Sequence, residues 1–127
     1  MSIKVVEYFI DRELVDYPFS IDFMEKKVES IHNNTSKEFI WFLEHDNIYT
    51  AGTSSKASDL VEKNKFKVYE SSRGGQYTYH GPGQRVIYLM LNIRKNGYDI
   101  RKFISMLEQW IIVSLSDIGL KATKDRS

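Results

Sequence analysis

No cysteine occurs anywhere in the 127-residue sequence. That excludes disulfides, thiolate metal sites and a cysteine nucleophile supplied by this chain. Histidine occurs three times, so imidazole chemistry rests on His32, His45 or His80. An excess of one charge is also missing. Lys and Arg number 18 and Asp and Glu 17, a formal net charge of +1. Nucleic-acid binding asks for a basic patch or stripe, and this balance gives no electrostatic case for it. Lys63, Lys65 and Lys67 alternate with Asn64 and Phe66 and read as a solvated strand or loop. No apolar run approaches the roughly 20 residues of a membrane helix. Met1-Ser2-Ile3-Lys4 lacks signal-peptide anatomy, so a cytoplasmic location is expected, with no membrane partner. Hydrophobic content of 42% and charged content of 28% fit one soluble domain with a buried core.

Residues 3–10 (IKVVEYFI) predict a strand, and Asp11-Arg12-Glu13 a turn. Tyr17, Ile21, Met24, Val28 and Ile31 recur at three- and four-residue steps and predict an amphipathic helix. Asp16 or Ser20 caps it, Pro18 suits its first turn, and Asn33-Asn34 ends it. Residues 39–44 (FIWFLE) predict a strand buried on both faces, and residues 48–50 resume it after His45-Asp46. His32 is expected to be exposed and without a chemical role. Residues 53–65 read as a polar loop with one helical turn, and residues 66–71 as a strand. Residues 85–93 (RVIYLMLNI) predict a central strand, with Val86, Tyr88 and Met90 facing one way and Ile87, Leu89 and Leu91 the other. Asp99 caps a long amphipathic helix running from Ile100 to Ile118, with Trp110 in the core and Gly119 as its stop. A polar, frayed tail follows. With two adjacent hairpin-like strand pairs, the fold class is α+β, a mixed sheet with packed helices.

Four of the seven glycines and one of the two prolines fall within residues 73–84, RGGQYTYHGPGQ. Gly81-Pro82-Gly83-Gln84 is a type II turn pattern, with proline second and glycine third. Gly74-Gly75 makes a second permissive point. The β-branched and aromatic Tyr77-Thr78-Tyr79 between them should be extended. The result is a short strand with Arg73 at one end and His80 at the other. A cation, an imidazole and bare glycine backbone suit a polar or acylated ligand.

This dodecapeptide resembles the signature of the lipoyl(octanoyl) transferases, as does Leu43-Glu44-His45 with Tyr49-Thr50-Ala51-Gly52. The resemblance runs from about Phe42 onward. It implies the fold of the biotin- and lipoate-protein ligases. It implies octanoyl transfer from octanoyl-acyl carrier protein to a lysine of lipoyl domains, in 2-oxoacid dehydrogenases and the glycine cleavage H protein, with no cofactor. The substrate-binding residues it implies are Arg73, Gly74, Gly75, Gln76, Tyr77, Thr78, Tyr79 and His80. Gly74 and Gly75 would admit the acyl chain or its carbonyl, Tyr77 and Tyr79 would wall an apolar tunnel, and His80 would donate a hydrogen bond near the reacting carbonyl. Arg73 would contact ligand or anchor the loop through backbone carbonyls. Pro82, Gly83 and Gln84 would only shape the turn. His45 would lie near the pocket or be satisfied at a strand end; both readings stay open.

The family's catalytic cysteine and lysine lie after the long helix, and this chain has no cysteine. The expectation is therefore a single incomplete domain over 1–127, truncated at the C-terminus, with no catalytic residue and no activity alone. Alternatives are a non-catalytic acyl or carrier-protein binding module, or half of a split enzyme. An uncovered sheet edge or apolar face should make the chain oligomerise.

Overall fold

The computed structural model describes residues 5–125. Its elements are β1 (Glu7–Leu14), α1 (Tyr17–His32), β2 (Phe39–Glu44), β3 (Ile48–Ala51), a 3-10 turn (Ala57–Asp59), β4 (Lys67–Glu70), β5 (Tyr77–His80), β6 (Val86–Met90) and α2 (Ile100–Asp117). They divide into two units, residues 1–91 and residues 92–127. The α+β class with mixed sheets holds, but the strands form two three-stranded sheets rather than one.

Sheet A has the order β1-β2-β6 and sheet B the order β4-β3-β5. β1 runs parallel to β2, and β3 parallel to β4. α1 makes the first of these crossovers, and the loop with the 3-10 turn makes the second. The antiparallel pairs are β2 with β6 and β3 with β5. The expected hairpin-like pairs do not form. β2 and β3 follow one another but lie in different sheets, because antiparallel partners arrive from farther along the chain.

The turn expected at Asp11-Arg12-Glu13 is strand. Parallel pairing carries β1 on to Leu14 through a register shift after Ile10. The Trp41 indole N–H donates to Asp11 Oδ2 at 2.6 Å, which holds the acidic residue against the sheet. Residues 3 and 4 of the expected strand lie outside the described residues.

Asp16, not Ser20, caps α1, accepting from the Phe19 amide at 3.2 Å. Ser20 is buried and donates to the Tyr17 carbonyl. The helix packs on sheet A through Ile31, Met24 and Phe23 around Trp41, Leu43 and Met90. Val28, expected on the packed stripe, is exposed. Phe23 takes the contact instead, its ring 4.8 Å from that of Trp41. β6 alternates as expected, with Val86, Tyr88 and Met90 on the core side. It is an edge strand of sheet A rather than a central one. β2 is the central strand, and Trp41 and Leu43 are its buried residues while Ile40 and Phe42 are half-buried.

In the second unit, the Asp99 carboxylate accepts from the Lys102 amide at 2.7 Å and starts α2. Gly119 has φ +85 and closes the helix, with the Leu120 amide returning to the Leu115 carbonyl. No residue of α2 is buried, and Trp110 is 43% exposed. Its expected place in a core is not observed. A single helix offers its apolar stripe no opposing layer within its own unit.

Candidate functional site

The segment 73–76 is stitched to the end of β3. The amides of Gly52, Thr53 and Ser54 donate to the carbonyls of Gln76, Arg73 and Gly75 at 3.1, 3.0 and 2.9 Å. Arg73 locks the arrangement from inside. Its Nη2 donates to the Thr50 carbonyl, the Thr50 hydroxyl and the Gln76 carbonyl at 2.9, 2.8 and 2.9 Å, and its Nη1 to the Gly74 carbonyl at 3.0 Å. Of the two roles open to Arg73, anchoring through backbone carbonyls is the one observed. The close approach requires glycine at 52, because a Cβ there would collide with the Gly75 carbonyl and the Arg73 guanidinium. Gly75 adopts φ +93. A Cβ on Gly74 would meet open space, so this backbone is accessible.

β5 leaves the loop as an edge strand. Its alternation separates the expected site residues. Thr78 and His80 register with Thr50 and Ile48, whereas Tyr77 and Tyr79 register with Ala51 and Tyr49. The two tyrosines and the histidine therefore face opposite sides of sheet B. Tyr77 and Tyr79 line an open cleft of about 350 Å3 with Tyr49, Leu60 and Val61. The Tyr79 hydroxyl donates to Asn47 Oδ1 at 2.5 Å. One wall combining these tyrosines with His80 is not formed.

His80 is oriented by a residue expected only to shape a turn. The amide group of Gln84 donates through Nε2 to the Tyr79 carbonyl at 3.2 Å, which aims Oε1 at His80 Nδ1, 2.5 Å away. A carboxamide oxygen only accepts, so Nδ1 carries the proton and neutral His80 presents Nε2 as an acceptor. The expected hydrogen-bond donation by His80 then belongs only to its protonated form. Residues 81–84 form the expected turn, with Gly83 at φ +88 and the Gln84 amide on the Gly81 carbonyl. The Gly83 amide donates to Glu44 Oε1 at 2.8 Å, tying this turn to β2.

Behind His80 lies His45, its ring 6.1 Å away. His45 is buried and satisfied at both nitrogens. Nδ1 donates to the Val15 carbonyl at 2.7 Å, and Nε2 accepts from the Tyr88 hydroxyl at 2.8 Å. Burial holds the His45 pKa below the ordinary histidine value, against the opposing pull of the Val15 carbonyl. Burial and the neighbouring Tyr17 push Tyr88 up to about 12. Of the two readings of His45, satisfaction at the strand end is the one observed, and its ring lies beside that of His80. The sequence marks Tyr88 only as a residue of an apolar strand. Its hydroxyl partner is 43 positions away and left no local signal.

Stability should register this pair. Neutral His45 belongs to the fold, so as pH falls below about 6.5 the unfolded chain takes a proton that the native site resists. Stability is complete above that pH and declines through it. Tyr88→Phe strands Nε2 and should cost about 1–3 kcal/mol. Urea unfolding between pH 8 and pH 5 checks both, and His45→Gln should flatten the acidic slope. An unchanged slope in His45→Gln would remove His45 from this role.

A family model described as the lipoyl protein ligase A/B catalytic domain matches residues 16–127. The chain belongs to this family. Its relatives include proteins named octanoyltransferase. That of Bartonella bacilliformis is 48% identical over 119 residues, 94% of this chain and 49% of the relative. That of Maricaulis maris is 47% identical, covering 96% and 54%. That of Wolbachia sp. subsp. Brugia malayi is 51% identical, covering 91% and 57%. The chain thus spans about half the length of the curated relatives it matches. Within the ligase A/B domain it holds the Arg73-anchored loop, β5 and the His45–Tyr88 pair. Among the described residues, no helix is long and apolar enough to cross a membrane.

Proposed function

We propose that this chain supplies the acyl-binding part of an octanoyltransferase, acting between octanoyl-acyl carrier protein and a lysine of lipoyl domains in lipoate biosynthesis. We further propose that residues 1–127 form one incomplete domain, in the cytoplasm, and that a thiol from the portion it does not span completes the reaction. The observation carrying this reading is the rigid hold on residues 73–80, with Arg73 bonded to three backbone carbonyls and Gly74 left accessible. β5 places Tyr77 and His80 about 10 Å apart at the usual rise of an extended strand. Exposed Thr78 lies between them on the His80 face. An eight-carbon acyl chain laid along this face would put its carbonyl end at His80 and its tail toward Gly74 and Gly75. Tyr77 and Tyr79 would then contribute through their backbone.

The chemistry divides into two exchanges. A thiolate attacks the octanoyl thioester carbonyl, and the carrier thiol leaves. The acceptor amine then attacks the acyl-thioester, forming an amide and releasing the thiolate. The amine must lose a proton in that step, and neutral His80 Nε2, fixed by Gln84, is the acceptor available. A carbonyl-polarising donor role would need protonated His80.

Incubation with octanoyl-acyl carrier protein and an apo lipoyl domain tests the assignment through the acceptor's mass. The chain alone should give no gain. Co-expression with the part of the Maricaulis maris relative that the chain does not match should give an octanoyl-sized gain. A gain from the cysteine-free chain alone, or none from the pair, would contradict the proposal.

A further inference from the structure

With its proton on Nδ1, His80 holds the less favoured tautomer of an imidazole free in water. Which nitrogen carries the proton is set by the hydrogen bonds that the ring makes. The direct partner is Gln84 Oε1, 2.5 Å from Nδ1. Gln84 is exposed, and an exposed side chain of this length has rotamer freedom to lose. Its direction comes from the backbone around it. Nε2 donates to the Tyr79 carbonyl, and the Gln84 main-chain amide donates to the Gly81 carbonyl at 3.1 Å. Both bonds need the turn at residues 81–84 to keep its shape, with Gly83 at φ +88. At the tip of that turn the Gly83 amide donates to Glu44 Oε1, a residue 39 positions away. Glu44 ends β2, the central strand of sheet A, between the fully buried Leu43 and the buried His45. Its backbone is therefore fixed on both sides.

We propose that Glu44 is a positioning residue for His80. Its carboxylate holds the turn through the Gly83 amide, the turn holds Gln84, and Gln84 keeps the His80 proton on Nδ1. Nε2 is then left as the acceptor. Every contact in this series lies within the first unit. Glu44 and His45, neighbours in the chain, reach His80 by separate routes: His45 by its ring at 6.1 Å, and Glu44 through the turn. The part Glu44 plays in transfer rests on the proposed function, whereas its hold on the tautomer does not. As the acceptor amine forms its C–N bond to the acyl carbonyl and the thiolate leaves, the amine proton passes to Nε2. The resulting imidazolium still donates from Nδ1 to Gln84 Oε1. One oxygen thus serves the ring before and after the step, and no side chain has to turn. A Glu44 that merely steadied the turn would leave the tautomer alone.

Long-range proton–nitrogen correlation NMR of the imidazole rings reads the tautomer directly, at a pH where the rings are neutral. With three histidines the spectrum is simple to assign. Exposed His32 gives the reference for a solvated ring, and His45, clamped by Val15 and Tyr88, reports that the fold is intact. In the unaltered chain His80 should be mainly Nδ1–H. Glu44→Leu and Glu44→Ala should each lower the ratio of Nδ1–H to Nε2–H about tenfold, the scale of one lost hydrogen bond. Glu44→Gln keeps an acceptor oxygen and should hold the ratio within about twofold. Gln84→Leu, at an exposed position, should lower it at least as far as Glu44→Leu does. His80 mainly Nε2–H in the unaltered chain would overturn the proposal. So would an unchanged ratio in either Glu44 removal with His45 undisturbed, or in Gln84→Leu. Disturbance of His45 by both Glu44→Leu and Glu44→Ala would assign the carboxylate to the fold as a whole and overturn it too. In the pair with the unmatched part of the Maricaulis maris relative, octanoyl transfer should slow as the ratio falls. A fallen ratio with transfer unchanged would count against His80 as the proton acceptor and leave the hold of Glu44 on the tautomer standing.

Discussion

Arg73→Met should destabilise the first unit by about 3 kcal/mol and release the segment 73–76. The guanidinium serves three backbone carbonyls and the Thr50 hydroxyl from one planar fork. Hydrogen bonds from a charged donor contribute about 1.5–3 kcal/mol each, and those sharing one side chain are not additive. Methionine fills similar space and offers no donor. Lysine should recover little, because a point charge cannot reproduce the fork. Gly52→Val attacks the same latch from the other strand, where its side chain would collide with the Gly75 carbonyl and the Arg73 guanidinium. Amide hydrogen exchange reads the outcome locally. Gly52, Thr53 and Ser54 donate to the loop, so their protection should fall about 100-fold, the equivalent of roughly 2.8 kcal/mol. Protection unchanged in Arg73→Met would mean that the loop is held by its backbone bonds alone.

His80→Ala should weaken octanoyl-carrier binding at least tenfold, whereas Tyr77→Ala should leave it within about twofold. A tenfold loss is about 1.4 kcal/mol, within the range of the apolar area that an imidazole ring buries against an acyl chain. The contrast follows from the alternation of β5. Thr78 and His80 share the face of Thr50, and Tyr77 and Tyr79 share the face of Tyr49. If the acyl chain lay in the tyrosine cleft, the two substitutions would exchange effects. Gln84→Ala should follow His80→Ala in part, since it frees the ring without removing it.

The sequence made the local features legible and left the long-range ones hidden. Both helices follow from apolar spacing and capping aspartates, and Asp16 and Asp99 do cap them. The turn at residues 81–84 follows from Pro82 and Gly83. The separation of Tyr77 and Tyr79 from His80 was also available, since neighbours on a strand point oppositely. A contiguous motif hides this, because adjacent residues of a strand lie on opposite faces. Other features depend on partners remote in the chain. Asp11 stays in strand because Trp41 donates to it from 30 residues away. β6 is as apolar as a central strand, yet its rank in the sheet is set by what pairs beside it. Trp110 lies on a well-formed amphipathic stripe, but a stripe specifies only that a cover is needed, not that one is present.

The most direct measurement is a titration of this chain with octanoyl-acyl carrier protein, set against the same carrier without its acyl group. Saturable binding that requires the octanoyl group, and that is lost in His80→Ala but kept in Tyr77→Ala, is the predicted result. Equal binding of the two carriers, or none by a chain shown to be folded, would contradict the claim that residues 73–80 hold the acyl group.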